Sequence, residues 1–234
     1  MRLERRPGRP LLIGHRGAKA VAPENTLAGL EAAVAAGVDV VELDISPGLR
    51  VAHDPDDADD KTLTLDEALA FLAKHGVGAH LDVKRPGYER DVIAAVDRRA
   101  VRELVYVSTA FATVARRVAA LAPDLTVAIG YPRDRLGVSR LAWPEPVTRA
   151  SAALLRQAMP ARIPLLLWAA RANALALHHA LCSRAAVATA HRLGVPVLVW
   201  TVNDAASAQR FTALGVDGIV SDDPGSLRAT LPVP

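Results

Sequence analysis

The chain has 234 residues, of which 51% are hydrophobic, and its 28 basic and 25 acidic residues give a net charge of +3 at pH 7. This length and hydrophobicity suffice for one large α/β core, and we expect a single domain over residues 1–234. Scattered arginines argue against a nucleic-acid patch, the single Cys182 excludes an intrachain disulfide, and the longest apolar stretch, residues 163–170, is far too short to span a membrane. We therefore expect a cytoplasmic protein without stable membrane insertion, and the oligomeric state stays open.

Predicted strands and helices alternate along the whole chain. The predicted strands occupy residues 11–14, 38–45, 79–84, 104–108, 126–131, 174–178, 197–202 and 218–220. The predicted helices occupy a segment opening at Asn25 or Thr26 and ending at Gly37, and then residues 64–76, 89–99, 111–122, 146–159, 185–193 and 205–214. A short extended piece at 49–53 follows a Pro47-Gly48 turn. Eight such units with short links predict a (β/α)₈ TIM barrel rather than an open sheet.

Two carboxylates stand two residues apart on the second predicted strand. Glu42 and Asp44 therefore face the same side of that strand, while its other face is apolar. Buried acids need a partner because an unpaired charge in the interior is costly, and a hard divalent cation held by oxygens is the simplest one. The sequence thus predicts a metal site here.

Polar residues also stand at the ends of other predicted strands, where the active sites of such barrels form. They are His15 and Arg16 after the first strand, His53-Asp54 after the second, Asp82 and Lys84 at the third, Trp200 and Asn203 at the seventh, and Asp222-Asp223 after the eighth. Imidazoles, cations and paired carboxylates together indicate metal-assisted attack on a phosphate ester.

These motifs, in this order, resemble the glycerophosphodiester phosphodiesterase family from residue 11 to residue 225. The matching segments are His15-Arg16-Gly17, Pro23-Glu24-Asn25-Thr26, Glu42-x-Asp44, His53-Asp54, Asp82 with Lys84, residues 200–203 and residues 215–224. The resemblance implies a TIM barrel of the phospholipase C-like phosphodiesterase type. It also implies hydrolysis of glycerophosphodiesters to glycerol 3-phosphate and an alcohol with one divalent cation, Ca²⁺ or Mg²⁺.

The resemblance also assigns roles to individual residues. His15 and His53 correspond to the general acid/base pair, and Glu42, Asp44 and Asp82 to the metal ligands. Arg16 and Lys84 would bind the phosphate, and Trp200 would line the wall near the glycerol. Attack by the glycerol 2-hydroxyl and attack by water both stay open.

Two departures from the family pattern concern specificity. Aspartate stands at position 82 where the family usually has glutamate, and only residues 55–61 separate His53-Asp54 from the next helix signal, where the family usually has a longer insertion. These departures indicate a compact member of the family whose active-site entrance is more open. A lysophospholipase D-like or cyclising lipid phosphodiesterase acting on lysophospholipids is therefore the first alternative. A barrel that binds phosphodiesters without turning them over is the second.

Several other polar residues have structural interpretations. We expect His75, His80 and His191 to lie at a helix end, a strand flank and a helix face, and His178-His179 to be structural or exposed. Asp222-Asp223 can orient site residues or cap the turn before Pro224, and Cys182 is expected to be a small buried side chain.

Overall fold

A computed structural model of the chain describes residues 1–132 and 145–231. Within these ranges the strands are β1 Leu11–Gly14, β2 Val40–Ser46, β3 Arg50–Val51, β4 Gly78–Val83, β5 Val105–Thr109, β6 Thr126–Tyr131, β7 Ala174–His178, β8 Val197–Trp200 and β9 Gly218–Ser221. The helices are α1 Leu27–Ala35, α2 Leu65–His75, α3 Glu89–Arg98, α4 Ala112–Leu121, α5 Glu145–Ala170, α6 Arg184–Arg192, α7 Ala205–Leu214 and α8 Pro224–Arg228.

Eight of these strands close into a barrel. The sheet runs in the order β1-β9-β8-β7-β6-β5-β4-β2, and β1 pairs in parallel with both β9 and β2, which closes the ring. The two-residue β3 pairs antiparallel with the end of β2 and stays outside the ring. The predicted (β/α)₈ barrel is thus confirmed, with its helices following the strands around the outside.

The alternation of side chains along each strand separates two buried layers. Outward-facing residues such as Leu12, Val41 and Leu81 pack against the helices. Inward-facing residues such as Ile13 and Tyr106 fill the barrel interior. We call the carboxyl-terminal ends of the strands the upper end of the barrel, and the opposite ends the lower end. Toward the upper end the inward residues become polar, and this change positions the site.

Two helices differ from the prediction, because the short α8 was not predicted and α5 is longer than expected. We predicted a helix over residues 146–159, but α5 continues through Pro160 and Pro164, which cannot donate backbone hydrogen bonds, to Ala170. Its buried residues Met159, Ile163, Leu167 and Ala170 recur at helical spacing, so packing against the barrel offsets the backbone hydrogen bonds that the prolines remove. Its predicted start at residue 146 agrees within one residue.

The lower end of the barrel carries a buried ion pair. Arg9, which is 3% exposed, places Nη1 2.5 Å from Oδ2 of Asp39, the residue before β2 begins. The same carboxylate accepts a hydrogen bond from the backbone N–H of Leu12 in β1 (2.8 Å).

Among the described residues, no helix is both long and apolar enough to cross a membrane.

Candidate active site

The upper end of the barrel contains a cavity of about 290 Å³. Seven of the eight residues predicted from the sequence line it: His15, Arg16, Glu42, His53, Asp82, Lys84 and Trp200. The eighth, Asp44, is fully buried beside the cavity and contacts His53 and Lys84 from below the surface. Side chains that are up to 185 positions apart in the sequence thus meet at one place.

Three carboxylates form the acidic centre of this cavity. Glu42 and Asp44 project inward from β2, and Asp82 is the register partner of Asp44 on β4. One oxygen from each of the three lies within 4.8 Å of the others, close enough for a single cation to be shared. Burial and the neighbouring charge of Asp44 raise the pKa of Glu42 well above its ordinary value. The cluster therefore carries more negative charge than its surroundings neutralise easily.

Two cations contact this cluster directly. Lys84 places Nζ 2.5 Å from Asp44 Oδ1 and 2.5 Å from Asp82 Oδ2. Arg16 places Nε 2.9 Å from Asp44 Oδ2, and its Nη1 donates to Glu24 (2.9 Å). Burial opposes the ionisation of Asp44, but the hydrogen bond from His53 and the charges of Lys84 and Arg16 outweigh it and hold its pKa below its usual range. Burial also lowers the pKa of Lys84, but the carboxylates around it raise that pKa by more.

Each of the two predicted acid/base histidines, His15 and His53, is oriented by a different carboxylate. His15 Nδ1 lies 2.6 Å from Asp222 Oδ1, and His53 Nδ1 lies 3.0 Å from Asp44 Oδ2. Because an ionised carboxylate only accepts, each Nδ1 is the donor and each Nε2 is left for proton transfer. His15 Nε2 is 3.9 Å from Glu42.

Asp222 is itself held in place. Asn203 donates from Nδ2 to Asp222 Oδ2 (2.7 Å) and accepts at Oδ1 from the backbone N–H of Asp222 (2.9 Å). Burial raises the pKa of Asp222, but the hydrogen bonds from His15 and Asn203 lower it to about 2. The sequence offered two roles for Asp222-Asp223, orienting site residues or capping a turn, and each residue has one of them. Asp222 orients His15, whereas Asp223 caps α8 by accepting a hydrogen bond from Ser226 N.

The loop that carries His15 depends on its glycine. Gly17 has a φ of +90°, and a Cβ there would lie 2.6 Å from the backbone carbonyl of Gly29 in α1. The loop can therefore pack directly on the helix only because residue 17 has no side chain. This close packing fixes the backbone N–H of Arg16, which donates to Glu42 Oε2 (2.8 Å).

Asn25 has a site role that the sequence did not reveal. Thr26, not Asn25, caps α1 by accepting from Gly29 N (3.2 Å). Asn25 is buried with a φ of +57°, donates from Nδ2 to Asp44 Oδ2 (3.1 Å) and accepts from Asp44 N (3.2 Å). Asparagine is among the few residues that tolerate this backbone conformation. This preference could have indicated the role of Asn25, but from the sequence the residue was considered only as a helix cap.

His80 and Ser108 were also missed as part of the site. Ser108 donates from Oγ to Asp82 Oδ1 (2.6 Å), and His80 Nε2 lies 2.7 Å from Ser108 Oγ. His80 is not at a strand flank but inside the barrel, stacked on Tyr106 at 4.3 Å, and its burial lowers its pKa to about 4. The available signal was its position two residues before Asp82, which places both on the inward face of β4.

The opposite wall of the cavity is apolar. Phe111, Gly130, Pro132, Ala176 and Trp200 line it. His178, which we expected to be structural or exposed, is half-buried with its ring edge-on to Trp200 at 5.0 Å. The cavity therefore joins an ionic half on β1, β2, β4 and β5 to an apolar half on β6, β7, β8 and the loop after β5.

Comparison with known proteins agrees with this geometry. The sequence model of the "Glycerophosphoryl diester phosphodiesterase family" matches residues 15–46 and 57–226. Glycerophosphodiester phosphodiesterase GDPD4 of Arabidopsis thaliana is 25% identical over 264 residues, which cover 95% of this chain and 73% of that protein. YhdW of Bacillus subtilis, provisionally named a glycerophosphodiester phosphodiesterase, is 25% identical over 91% of this chain and 94% of its own.

Solved structures share the fold. A glycerophosphodiester phosphodiesterase from Parabacteroides distasonis superimposes with a TM-score of 0.72 at 18% identity, covering 95% of this chain and 96% of that one. An Oleispira antarctica phosphodiesterase in complex with the product sn-glycerol-3-phosphate superimposes with a TM-score of 0.69 at 21% identity, covering 95% and 96%. With its family match over most of the chain, the protein belongs to the glycerophosphoryl diester phosphodiesterase family and is a phosphoric diester hydrolase.

Proposed function

We propose that this protein hydrolyses glycerophosphodiesters, such as glycerophosphocholine or glycerophosphoethanolamine, to glycerol 3-phosphate and an alcohol. The observation that carries the proposal is the meeting of His15, His53 and the carboxylates of Glu42, Asp44 and Asp82 around one cavity. The Oleispira antarctica relative, whose structure contains sn-glycerol-3-phosphate, supports the same product class.

Glu42, Asp44 and Asp82 would hold one divalent cation. Their oxygens approach within 4.8 Å, and an all-oxygen donor set suits Ca²⁺ or Mg²⁺. The raised pKa of Glu42 supports this assignment, because burial and the charge of Asp44 oppose its ionisation, and a bound cation would supply the missing counter-charge. Aspartate at position 82 is compatible with this site, since Ser108 holds its carboxylate beside the other two. When bound, the cation would supply charge neutralisation at the phosphate and Lewis-acid activation of an oxygen.

Arg16 and Lys84 would bind the phosphate. Both cations line the cavity and both contact Asp44, so their positions are fixed before substrate arrives. Positive charge that is positioned in advance stabilises the added charge of the phosphoryl transition state without reorganisation. Lys84 retains its proton because the surrounding carboxylates raise its pKa.

His15 and His53 would transfer the protons. Asp222 keeps the proton of neutral His15 on Nδ1, so Nε2 can accept a proton from the attacking hydroxyl or water. Asp44 orients His53 in the same way, so that a protonated His53 could donate from Nε2 to the leaving alkoxide. The two imidazoles thus form an acid/base pair. Which one acts as the base depends on the side from which the hydroxyl or water attacks the phosphorus.

A lysophospholipid is the second candidate substrate. The apolar wall formed by Phe111, Pro132 and Trp200 favours it, because an alkyl or acyl chain could lie along such a surface. If the substrate is a glycerophosphodiester, Trp200 in the same wall would contact its glycerol. Comparing the release of choline from lysophosphatidylcholine and from glycerophosphocholine at equal concentration would distinguish the two substrate classes.

The test of the main proposal is glycerol 3-phosphate release from glycerophosphocholine by the purified protein. We expect release with Ca²⁺ or Mg²⁺, none with EDTA, and a fall of about 10³-fold in His15→Ala. His75→Ala is the matched control, because His75 is an exposed histidine at the end of α2, where its ring nitrogen lies 2.8 Å from the carbonyl oxygen of Phe71. Absence of glycerol 3-phosphate release from glycerophosphocholine with either metal would overturn the proposal.

A further inference from the structure

The outer surface of α5 exposes an unusual amount of hydrophobic area. Six large hydrophobic side chains are exposed in the described ranges, and four of them lie on α5 or directly after α6. They are Leu154 (69% exposed), Leu165 (66%), Trp168 (81%) and Leu193 (50%). Exposed apolar side chains that cluster in this way mark interaction surfaces more often than isolated ones do.

The three large exposed hydrophobic residues of α5 share one face with two alanines. Leu154, Ala158, Ala161, Leu165 and Trp168 are separated by four, three, four and three positions, so they lie along one side of the helix. This side is opposite the stripe of Met159, Ile163 and Leu167 that packs on the barrel. The outer side therefore contributes nothing to the core.

The same region is basic and free of acids. Residues 146–203 contain six arginines and no aspartate or glutamate, although the whole chain has 25 acidic residues. Arg162, Arg171, Arg184 and Arg192 are exposed and form no ion pair with any residue of the described ranges. Because α5 and α6 pack together and run in the same direction, Trp168 and Leu193 lie toward the same end, next to Arg171 and Arg192.

We propose that this surface, formed by the outer sides of α5 and α6, binds an anionic lipid bilayer. Tryptophan and leucine side chains enter the headgroup region of a bilayer, and arginines attract anionic headgroups, so the surface matches both components. A second copy of the chain fits less well, because a two-fold contact would bring the same unpaired arginines against each other. A nucleic acid would use the arginines but leave Leu165 and Trp168 unexplained.

Vesicle co-sedimentation tests the proposal. The protein should sediment with vesicles of phosphatidylcholine containing about one third phosphatidylglycerol, but not with phosphatidylcholine alone, and binding should weaken between about 0.05 M and 0.5 M salt. Leu165→Ser/Trp168→Ser should lower the partition coefficient at least about tenfold, and Arg192→Gln about fivefold. Val21→Ser removes another exposed hydrophobic side chain (66% exposed), which lies between β1 and α1 and not on α5 or α6, so it should leave vesicle binding unchanged.

A second measurement locates the contact. Brominated acyl chains should quench tryptophan fluorescence of the bound protein, and most of this quenching should disappear in Trp168→Phe. Circular dichroism of each variant shows whether it is folded. Absence of binding to the anionic vesicles would overturn the proposal. Self-association of the protein that Leu165→Ser/Trp168→Ser abolishes would also overturn it. The same holds for DNA binding that is as tight as vesicle binding and unaffected by this double substitution.

Discussion

The two ends of strand β2 hold buried acids in opposite ways. At the lower end, Asp39 contacts Arg9 (2.5 Å) and Arg6 (3.1 Å) and accepts a hydrogen bond from Leu12 N. Burial raises its pKa, but the hydrogen bonds from Arg9 and Leu12 lower it further, so the folded state favours its charge. At the upper end, burial and a neighbouring carboxylate raise the pKa of Glu42, so the folded state opposes its charge.

This difference separates stability from function along a single strand. The lower acid is matched by cations of the chain itself and therefore stabilises the fold. The upper acids exceed the cations available to them, which costs stability; in the proposed function a divalent cation would offset this excess of negative charge. Conservative substitutions at the two ends should consequently have reciprocal effects.

The largest expected effect is that of Glu42→Gln. The substitution keeps the shape and an oxygen for the N–H of Arg16 but removes the charge, so activity should fall by about 10³-fold or more. In EDTA the same variant should melt about 2–4 °C higher, because one unfavourable charge is gone. Assays and calorimetry of the same preparation measure both. A lower melting temperature in EDTA would mean that the charge of Glu42 stabilises the fold.

Asp39→Asn should have the reverse effect. It leaves the buried Arg9 without its counter-ion and should lower the free energy of unfolding by about 3 kcal/mol, while the activity of the folded protein stays unchanged. The pKa of Asp39 is lowered in the folded state, so its ionisation stabilises fully above its ordinary value of 3.8 and this stabilisation is lost as pH falls through the folded-state pKa. Urea denaturation should thus show a difference between the two proteins that shrinks below about pH 4.

Asp66→Asn is the control for this comparison. Asp66 pairs with Arg99, and both side chains are 40% exposed. An exposed pair contributes little to stability because solvent screens its charges, so this variant should unfold nearly like the unsubstituted protein. An equal loss in both variants would indicate a general charge effect rather than the burial of the Arg9–Asp39 pair.

Asp222→Asn should reduce kcat by about 100-fold, because the amide no longer fixes the proton of His15 on Nδ1. Metal affinity should remain unchanged, since Asp222 lies outside the acidic cluster. Asp223→Asn removes the same charge one position later but affects only the cap of α8, so it should keep full kcat. Equal losses in the two variants would contradict the positioning role of Asp222.

The sequence predicted the parts of this molecule that depend on periodicity. Strand and helix positions, the barrel and the residues at strand ends follow from apolar runs punctuated by glycine and proline, and the ring β1-β2-β4 brings Glu42 and Asp82 together as expected. The second half of helix α5 escaped prediction, because the local signal of Pro160 opposes the tertiary packing of the buried stripe that continues beyond it.

Residues that act through another side chain were harder to find. Asn25 was considered as a helix cap and His80 as a strand flank, because the sequence shows neither the αL backbone of Asn25 nor the neighbour of His80 on β5. Their partners Asp44 and Ser108 are 19 and 28 positions away, and only the folding of the loop before α1 and the register of β4 with β5 bring them into contact. Local patterns contain no information on such pairs.

The smallest effect concerns the acid that departs from the usual glutamate. Ser108→Ala removes the donor to Asp82 Oδ1 and separates His80 from the site, which should weaken Ca²⁺ or Mg²⁺ binding about tenfold in calorimetry. If Ser108 acts only by positioning Asp82, adding Ser108→Ala to Asp82→Asn should cause no further loss, and the two substitutions should be strongly non-additive. Additive losses would instead assign Ser108 to general packing of the barrel. The lower end serves as the reference, because Asp39→Asn should leave metal affinity unchanged while lowering stability more than Ser108→Ala does.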